Sequence, residues 1–549
     1  MLSLISPTTE TSQGFMEEVL GQPLGLCSDE WYLFQMSRGY PFALTFVVFA
    51  AVFCCLRFVR LEQKLYWVDE VATSEHITLD VTDQIESELA SGNIKNIKQV
   101  TSLMELSKPA TLSGTVVDLV ASDPHHTPPY YLLLNLWSRL FGLEPGNLRL
   151  LSAVFSFAAI PALYWFALEL FQSHLIAAIS VWLYALSPFE LIYAQQAREY
   201  SMWILLILLS SASLICAARR PRLRSWLLYF LFTSALLWTH LLSIWIVIAH
   251  SAFMAIHFRG SRKTLISFGS IVALSLLLLA PWLIMVVTRP AELNDFGGIE
   301  NRVAPSLYVE TFLLNLSRTV LDVDLPSYEH LPYFQWLLIV PIAATVLLIA
   351  SCVWLFIRRA TSESRTMLCL LGVCTMLPLV LADVVAGGRR ALLPRYDSPA
   401  WISLDLILAF SIVNALSTQK KLNLWAGRAA MVLILCCGSY SQWQFLSRTT
   451  WWTTRPPDLA RSAVFLAGNP NVPLGVDLSS VHTGQMISLA YFLRERPIIT
   501  IKDQSVPMYS GEAFVYRPSE ELIKNIEGSH RFLTRQETGY LWRLSPLQP

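Results

Sequence analysis

Two acids stand side by side at Asp69 and Glu70, in the stretch Tyr-Trp-Val-Asp-Glu that follows the first long apolar run of the chain. A carboxylate there can act as a general base at a membrane surface, where water-soluble and lipid-linked reactants meet. A positioned base is worth about 10²–10⁴ in rate. Farther along, Arg198 precedes Glu199 just after another apolar run. The guanidinium could hold a phosphate through paired hydrogen bonds, and Glu199 could pair with it or accept from a sugar hydroxyl. The plainer alternative is an ion pair reaching to the lipid headgroups. A third group is Arg389, Arg390 and Arg395, with Tyr396, in the short segment between Gly387 and Asp397. Phosphate binding and general headgroup contact are both open for Arg389 and Arg390, and phosphate binding is the stronger reading for Arg395. His125 and His126 could join Asp69 or Glu70 around a divalent cation. They lack a spacing such as His-Glu-x-x-His, so no metal ligands are assigned and a divalent cation stays an option. Tyr130 and Tyr131 either line a sugar pocket or anchor a helix.

What must position these groups is a membrane. The chain has 549 residues, 54% hydrophobic and only 15% charged, with a mean hydropathy of +0.48. That composition predicts an all-α polytopic membrane protein. Forty basic residues balance forty acidic ones, so no global field argues for nucleic acid or another polyanion. Eight of the nine cysteines lie in apolar runs and read as small core hydrophobes, Cys27 being the exception. Residues 1–40 are polar and mixed, without the pattern of a cleavable signal peptide.

A bilayer core of about 30 Å asks for roughly 20 apolar residues per helix. On that measure about 11 spans are expected, near 41–57, 149–171, 175–193, 200–218, two within 225–257, then 265–287, 333–357, 366–386, 398–417 and 425–446. The run 225–257 is too long for one crossing. Arg219, Arg220, Arg222 and Arg224 precede it and Arg259, Arg262 and Lys263 follow it. Both clusters belong on the cytoplasmic side, so a hairpin is predicted, with Thr239 and His240 near its outer turn. The same rule puts residues 1–40 in the cytoplasm and the C-terminus outside, in a plasma (inner) membrane.

The outer side then carries three large segments. The first, 58–148, holds Asp69, Glu70 and the His125–Tyr131 stretch, and Leu132–Phe141 suits an interfacial amphipathic helix. The second, 288–332, holds a similar run at Leu307–Leu316. The third, 447–549, follows Trp443 and opens with Trp451 and Trp452, read as an interfacial belt. Strand-like runs at Leu474–Leu478, Ile498–Ile501 and Ala513–Tyr516 alternate there with helical ones at Gly484–Arg494 and Ser519–Ile526, predicting a small soluble α/β domain. The domain division is thus 1–40, 41–446 and 447–549.

Four stretches, in this order, resemble a known family. They are Asp69-Glu70 after the first span, His126-Thr127-Pro128-Pro129-Tyr130-Tyr131, Leu148-Arg149-Leu150-Leu151-Ser152, and Ser187-Pro188-Phe189 through Ala194-Gln195-Gln196-Ala197-Arg198-Glu199-Tyr200. The chain is similar to the bacterial polyprenyl-phosphate-dependent glycosyltransferases related to protein O-mannosyltransferases and aminoarabinose transferases. The match runs well over residues 41–210 and elsewhere by topology alone. It departs at Gln196, where the family pattern usually has Glu, and in a first loop longer than many.

The resemblance implies a C-type glycosyltransferase (GT-C) fold with an active site on the outer side. It also implies an inverting transfer of a sugar from a polyprenyl-phosphate donor to a lipid, protein or glycan acceptor. Asp69 would be the base, and Glu70 its helper or a substrate-hydroxyl acceptor. His126, Tyr130, Tyr131, Arg198, Glu199, Arg390, Arg395 and Tyr396 complete the expected substrate-binding set. Two rivals remain: a transporter or flippase of lipid-linked sugars, and an inactive assembly scaffold. Transporters carry ionisable residues near the middle of their spans, whereas here the spans hold few charges, such as Glu169, Asp383 and Asp405, lying toward their ends.

Overall fold

The computed structural model describes residues 44–546 apart from 80, 289–301, 326, 328–335, 455–456, 494, 503–509, 528–532 and 537–539. The N-terminal segment expected to be cytoplasmic lies outside the described residues.

The apolar runs fold as helices. They are Leu44–Phe58, Pro145–Phe171, His174–Leu186 continued by Pro188–Ala194, Tyr200–Arg219, Leu223–Thr239, Ser243–His257, Arg262–Val287, Trp336–Arg359, Ser362–Ala386, Ser398–Leu416 and Lys421–Ser447. Among the described residues, 7 helices are long and apolar enough to cross a membrane, or 8 if one bent pair counts as a span. The predicted hairpin is present, with His240 between Leu223–Thr239 and Ser243–His257. Burial separates centre from rim. Tyr200–Arg219 has 83% of its most apolar window buried, against 22% for Arg262–Val287 and for Lys421–Ser447. The first is surrounded by other helices, and the last two present apolar faces outward, as lipid contact requires.

One expected span is broken. His174–Leu186 and Pro188–Ala194 meet at an angle of 62°, because Pro188 has no N–H to continue the ladder and sits at the first turn of a new helix. Gly438 packs against this break: a Cβ there would lie 2.8 Å from the Leu186 carbonyl oxygen. The short helix after the kink turns the chain toward Gln195–Glu199 at the edge of the bundle.

Residues 58–148, expected to form the first outer segment, are more ordered than a loop. They form helices Val68–Thr78, Val81–Ser91, Lys98–Leu106, Leu112–Ser122 and Pro128–Phe141. The last begins at Pro128, earlier than the predicted Leu132, since proline is favoured at a first helical position. It buries Tyr130, Tyr131, Leu134, Asn135 and Ser138 and exposes Leu133, Leu136 and Leu140, the amphipathicity expected of an interfacial helix. A matching helix, Pro305–Ser317, stands in the segment 288–332.

The C-terminal segment carries a five-stranded sheet of β1 (Leu474–Asp477), β2 (Ile498–Ile501), β3 (Ala513–Tyr516), β4 (Leu533–Arg535) and β5 (Leu541–Leu544), in the order β2-β1-β3-β5-β4. β2, β1 and β3 are parallel, while β5 runs antiparallel to β3 and to β4. The three predicted strands are found at their predicted places, β4 and β5 in addition. Its core is not closed by residues 447–549 alone. Leu65, Tyr66, Val71, Val81, Ile85 and Val100 of the first segment share a cluster with Leu474, Val476, Ile487 and Leu541. Backbone bonds from Ile97 to Arg496 and from Ile498 to Lys95 join the two segments.

Trp451 and Trp452, read from sequence as belt residues, are buried instead. Their indole N–H groups both donate to Asp322 Oδ2, at 3.0 and 2.6 Å, and Arg318 Cζ lies 3.6 Å from the Trp452 ring centre. Two tryptophans in sequence can mark an interface or a buried polar anchor, and only the acceptor on another segment decides. Trp443 does remain exposed.

Candidate active site

Asp69 and Glu70 open the helix Val68–Thr78, where acids suit the positive end of the dipole. Adjacent positions on a helix do not share a face, so the two carboxylates part. Glu70 is fully buried. Its Oε1 accepts from Arg149 Nε at 2.8 Å and from the Ala197 N–H at 2.8 Å; its Oε2 accepts from Arg149 Nη2 at 2.7 Å and from the Trp67 N–H at 3.2 Å. Arg149 spends its remaining donors on the carbonyls of Leu61, Lys64 and Leu65. Glu70 therefore has no acceptor site left for a substrate hydroxyl, which removes the second of the two roles expected for it. It ties the first outer helix to the start of a central span and to the Gln195–Glu199 turn.

Asp69 turns the other way and keeps about a third of its side chain exposed, at 32%, with Oδ2 lying 3.8 Å from Arg395 Nη2. Arg395 sits in a 3₁₀ turn, Pro394–Asp397, reached by a chain reversal at Gly387 and Gly388, whose φ angles of 79° and 130° favour glycine. Its guanidinium lies over the rings of Trp67, at 5.2 Å, and Tyr396, at 5.1 Å. Tyr396 faces His240 with ring centres 6.1 Å apart, and His240 stacks on Trp203 at 4.4 Å. Burial pushes the His240 imidazole down to about 4, against the pull of Glu199, so it is neutral near pH 7.

Arg198 is also buried, and its two terminal nitrogens are committed within the protein. Nη1 donates to the Asp69 carbonyl and to Thr73 Oγ1, both at 3.1 Å, and Nη2 to His126 Nε2 at 2.8 Å. Glu199 lies beside it, with Oε1 3.2 Å from His126 Nδ1 and Oε2 3.4 Å from Arg198 Nε. Burial would raise the Glu199 carboxyl; Arg198 and His126 overcome this and hold it far below the usual range. Burial and then Arg198 push His126 down, against the pull of Glu199.

A second group lies next to it. Asp123 Oδ1 is 2.8 Å from His125 Nε2, and its Oδ2 is 3.5 Å from His76 Nε2 and 3.7 Å from His126 Nε2. His76 turns its Nδ1 to Asp118 Oδ2 at 2.7 Å. Burial acts to raise the Asp123 carboxyl, but the bonds from His125 and His76 carry it far below its ordinary value. Burial likewise acts to lower His76, and its bonds to Asp118 and Asp123 bring it out raised. Asp123, His125 and His126 offer ligand atoms within 4.8 Å of one another. One carboxylate and two imidazoles suit a borderline divalent cation. The cation option considered for the two histidines thus has Asp123 as its acid, with Glu70 already taken by Arg149.

The other expected residues divide. Tyr130 bonds Ser152 Oγ at 2.8 Å and is fully buried, so it belongs to the core. Tyr131 packs edge-on against His76, ring centres 5.4 Å apart, and near His126 at 5.8 Å. Its buried hydroxyl has no hydrogen-bond partner among the described residues. Arg390 is drawn to Asp383 Oδ1 at 3.3 Å and to the Gly387 carbonyl at 2.8 Å. It braces the turn that presents Arg395.

Nothing in the spacing of His76, Asp118, Asp123 or Lys64 marks them in the sequence as site residues. Arg149 carried a signal, since it stands in one of the four family-like stretches. Lys64 is buried, donates to the carbonyls of Phe445 and Arg448, and is pushed down to about 7 by burial.

No protein-family model and no curated protein matches the chain. Among solved structures it is similar to ArnT from Cupriavidus metallidurans bound to undecaprenyl phosphate, at 13% identity over 92% of this chain and 98% of that one, with a TM-score of 0.46. The same protein in the apo state gives a TM-score of 0.48 over the same shares of the two chains, again at 13% identity. The archaeal oligosaccharyltransferase AglB from Archaeoglobus fulgidus, in complex with an inhibitory peptide and a dolichol-phosphate, is similar at 11% identity over 91% of this chain and 74% of that one, with a TM-score of 0.47.

Proposed function

We propose that this chain is an integral membrane glycosyltransferase that moves a sugar from a polyprenyl-phosphate donor to an acceptor on the extracytoplasmic side. The observation that carries the reading is the meeting of Asp69 with Arg395, a half-exposed base and a guanidinium held over two aromatic rings. The acceptor hydroxyl attacks the anomeric carbon as the bond from that carbon to the phosphate oxygen breaks. The hydroxyl proton passes to Asp69, and the polyprenyl phosphate leaves with its charge against Arg395. Because the phosphate leaves without needing a general acid, one carboxylate acting as base suffices for such a direct, inverting displacement. With no donor bound, Asp69 and Arg395 neutralise each other. An arriving phosphate competes for the arginine and leaves the carboxylate free to accept a proton.

Glu70 and Arg149 hold the helix that bears Asp69, and Arg198 fixes its first turn through the Asp69 carbonyl. Tyr396 and His240 wall the phosphate side, and Tyr131, His126 and Glu199 the other. Eleven crossings, with the N-terminus in the cytoplasm and the C-terminal domain outside, fit this arrangement. Arg219 pairs with Glu363 and Arg220 with Glu169 at one set of helix ends, and the Asp69 site is built at the other.

The test is to extract the protein with native lipids, identify any bound sugar-lipid by mass spectrometry, and supply that lipid to the protein in liposomes. Transfer of the sugar to an acceptor supports an enzyme. Movement of the intact sugar-lipid between leaflets, without cleavage, would make it a transporter.

A further inference from the structure

The C-terminal sheet has a feature that the transfer reaction does not use. β1 stands between β2 and β3, all three parallel. The chain leaves β1 toward β2 and then crosses back to β3 on the other side. In an open α/β sheet, such a reversal of strand order leaves a crevice beyond the carboxyl ends of the two strands, and ligands bind there. A cavity of about 390 Å³ occupies that place. Ser480 enters it from the segment after β1, Arg517 and Ser519 from the segment after β3, and Arg535, Tyr540 and Trp542 from β4 and β5.

The crevice is braced. Asp477, the fully buried last residue of β1, accepts from the Ser479 N–H and hydroxyl and from the Ser519 N–H, so one carboxylate ties together the segments that follow both strands. Ser480 Oγ donates to the Arg517 carbonyl. Arg517 is fixed in turn by Gln485 Oε1, at 3.0 Å, with its guanidinium 4.8 Å from the Tyr540 ring centre. The lining thus offers two aromatic rings, hydroxyls and two guanidinium groups against one acid, Glu520. Aromatic faces take the C–H faces of sugar rings, and arginine takes a carboxylate or phosphate.

We propose that this crevice is a second binding site, for a saccharide carrying a carboxylate or phosphate group, separate from the Asp69 site.

The experiment uses the full chain in lipid nanodiscs, with digalacturonate, glucose 6-phosphate and neutral maltose as probes followed by saturation-transfer NMR and calorimetry. At least one charged probe should bind, maltose at least about tenfold more weakly, a loss of 1.4 kcal/mol. Digalacturonate and glucose 6-phosphate separate the carboxylate source from the phosphate source. Arg517→Ala and Trp542→Ala should each weaken the charged probe by a similar factor, while Asp69→Asn leaves it unchanged. Arg535→Ala, at an exposed position, repeats the test, with the melting temperature recorded beside binding to show that the sheet stays folded. Failure of both charged probes to bind, equal binding of maltose, or binding that survives Arg517→Ala and Arg535→Ala would overturn the proposal.

Discussion

Arg395 reaches across the bundle to within 3.8 Å of Asp69, from a turn that follows the helix Ser362–Ala386 to a helix that follows Leu44–Phe58. In the proposed reaction the pair would supply the two chemical needs of a phosphate-leaving displacement, a base and a cation. It is also poised, because each group holds the other until a charged donor intervenes.

Asp69→Asn keeps the size and helix position of the side chain and removes its basicity. Sugar transfer should fall by about 10²-fold or more while the protein inserts and melts as before. Near-normal turnover in a reconstituted assay would remove Asp69 from the role of base.

Arg395→Ala should weaken binding of polyprenyl phosphate and raise KM for the donor about tenfold or more, a loss of about 1.4 kcal/mol, with little change in melting temperature. Arg390→Ala acts on the same turn through Asp383 and should give a smaller loss. Unchanged affinity in Arg395→Ala would take that residue out of the phosphate site.

Glu70→Gln tests a clamp. Removing one partner of a buried ion pair strands the other, at a cost of about 3–5 kcal/mol, so thermal stability should drop sharply with Arg149 left uncompensated. Were Glu70 instead a proton carrier, the variant would stay stable and lose activity alone; melting measured beside turnover tells the two apart.

The Asp123 group sets a pH dependence. The His76 pKa is raised in the folded state, so its contribution is full below its ordinary value of 6.5 and is lost as pH rises through the higher folded value. The Asp123 pKa is lowered, so its contribution is present above its ordinary value of 3.8 and is lost as pH falls toward the lower folded value. Asp123→Asn should therefore cost most melting temperature between these two ordinary values and less as the medium becomes alkaline. A melting difference that is flat with pH would show that the pair carries no charge.

Single cysteines engineered at 222 and at 480 should be labelled by an impermeant reagent from opposite sides of the membrane. Labelling of both from one side would refute the eleven-crossing arrangement.

Much of the architecture is legible in one dimension, because a helix in lipid must be apolar over its own length and a strand must alternate or run apolar over a few residues. The hairpin at His240 is written in the arginines that flank 225–257, whereas the apolar run 175–193 reads as one span and only the structure shows the 62° break at Pro188. The resemblance put Asp69, Arg198 and Arg149 in sight, and side assignment by charge brought Arg395 to the same face. The sequence could not divide the labour within Asp69-Glu70. Neighbouring residues on a helix point apart, and which of them meets Arg149 and which meets Arg395 depends on helices distant in the chain. The same reason hid Asp123, whose partners His76 and His125 come from two elements, and buried Trp451 and Trp452 on an aspartate of another segment. Local residue types settle which elements form and what chemistry is available; only packing settles which acid is saturated with donors and which is left open to react.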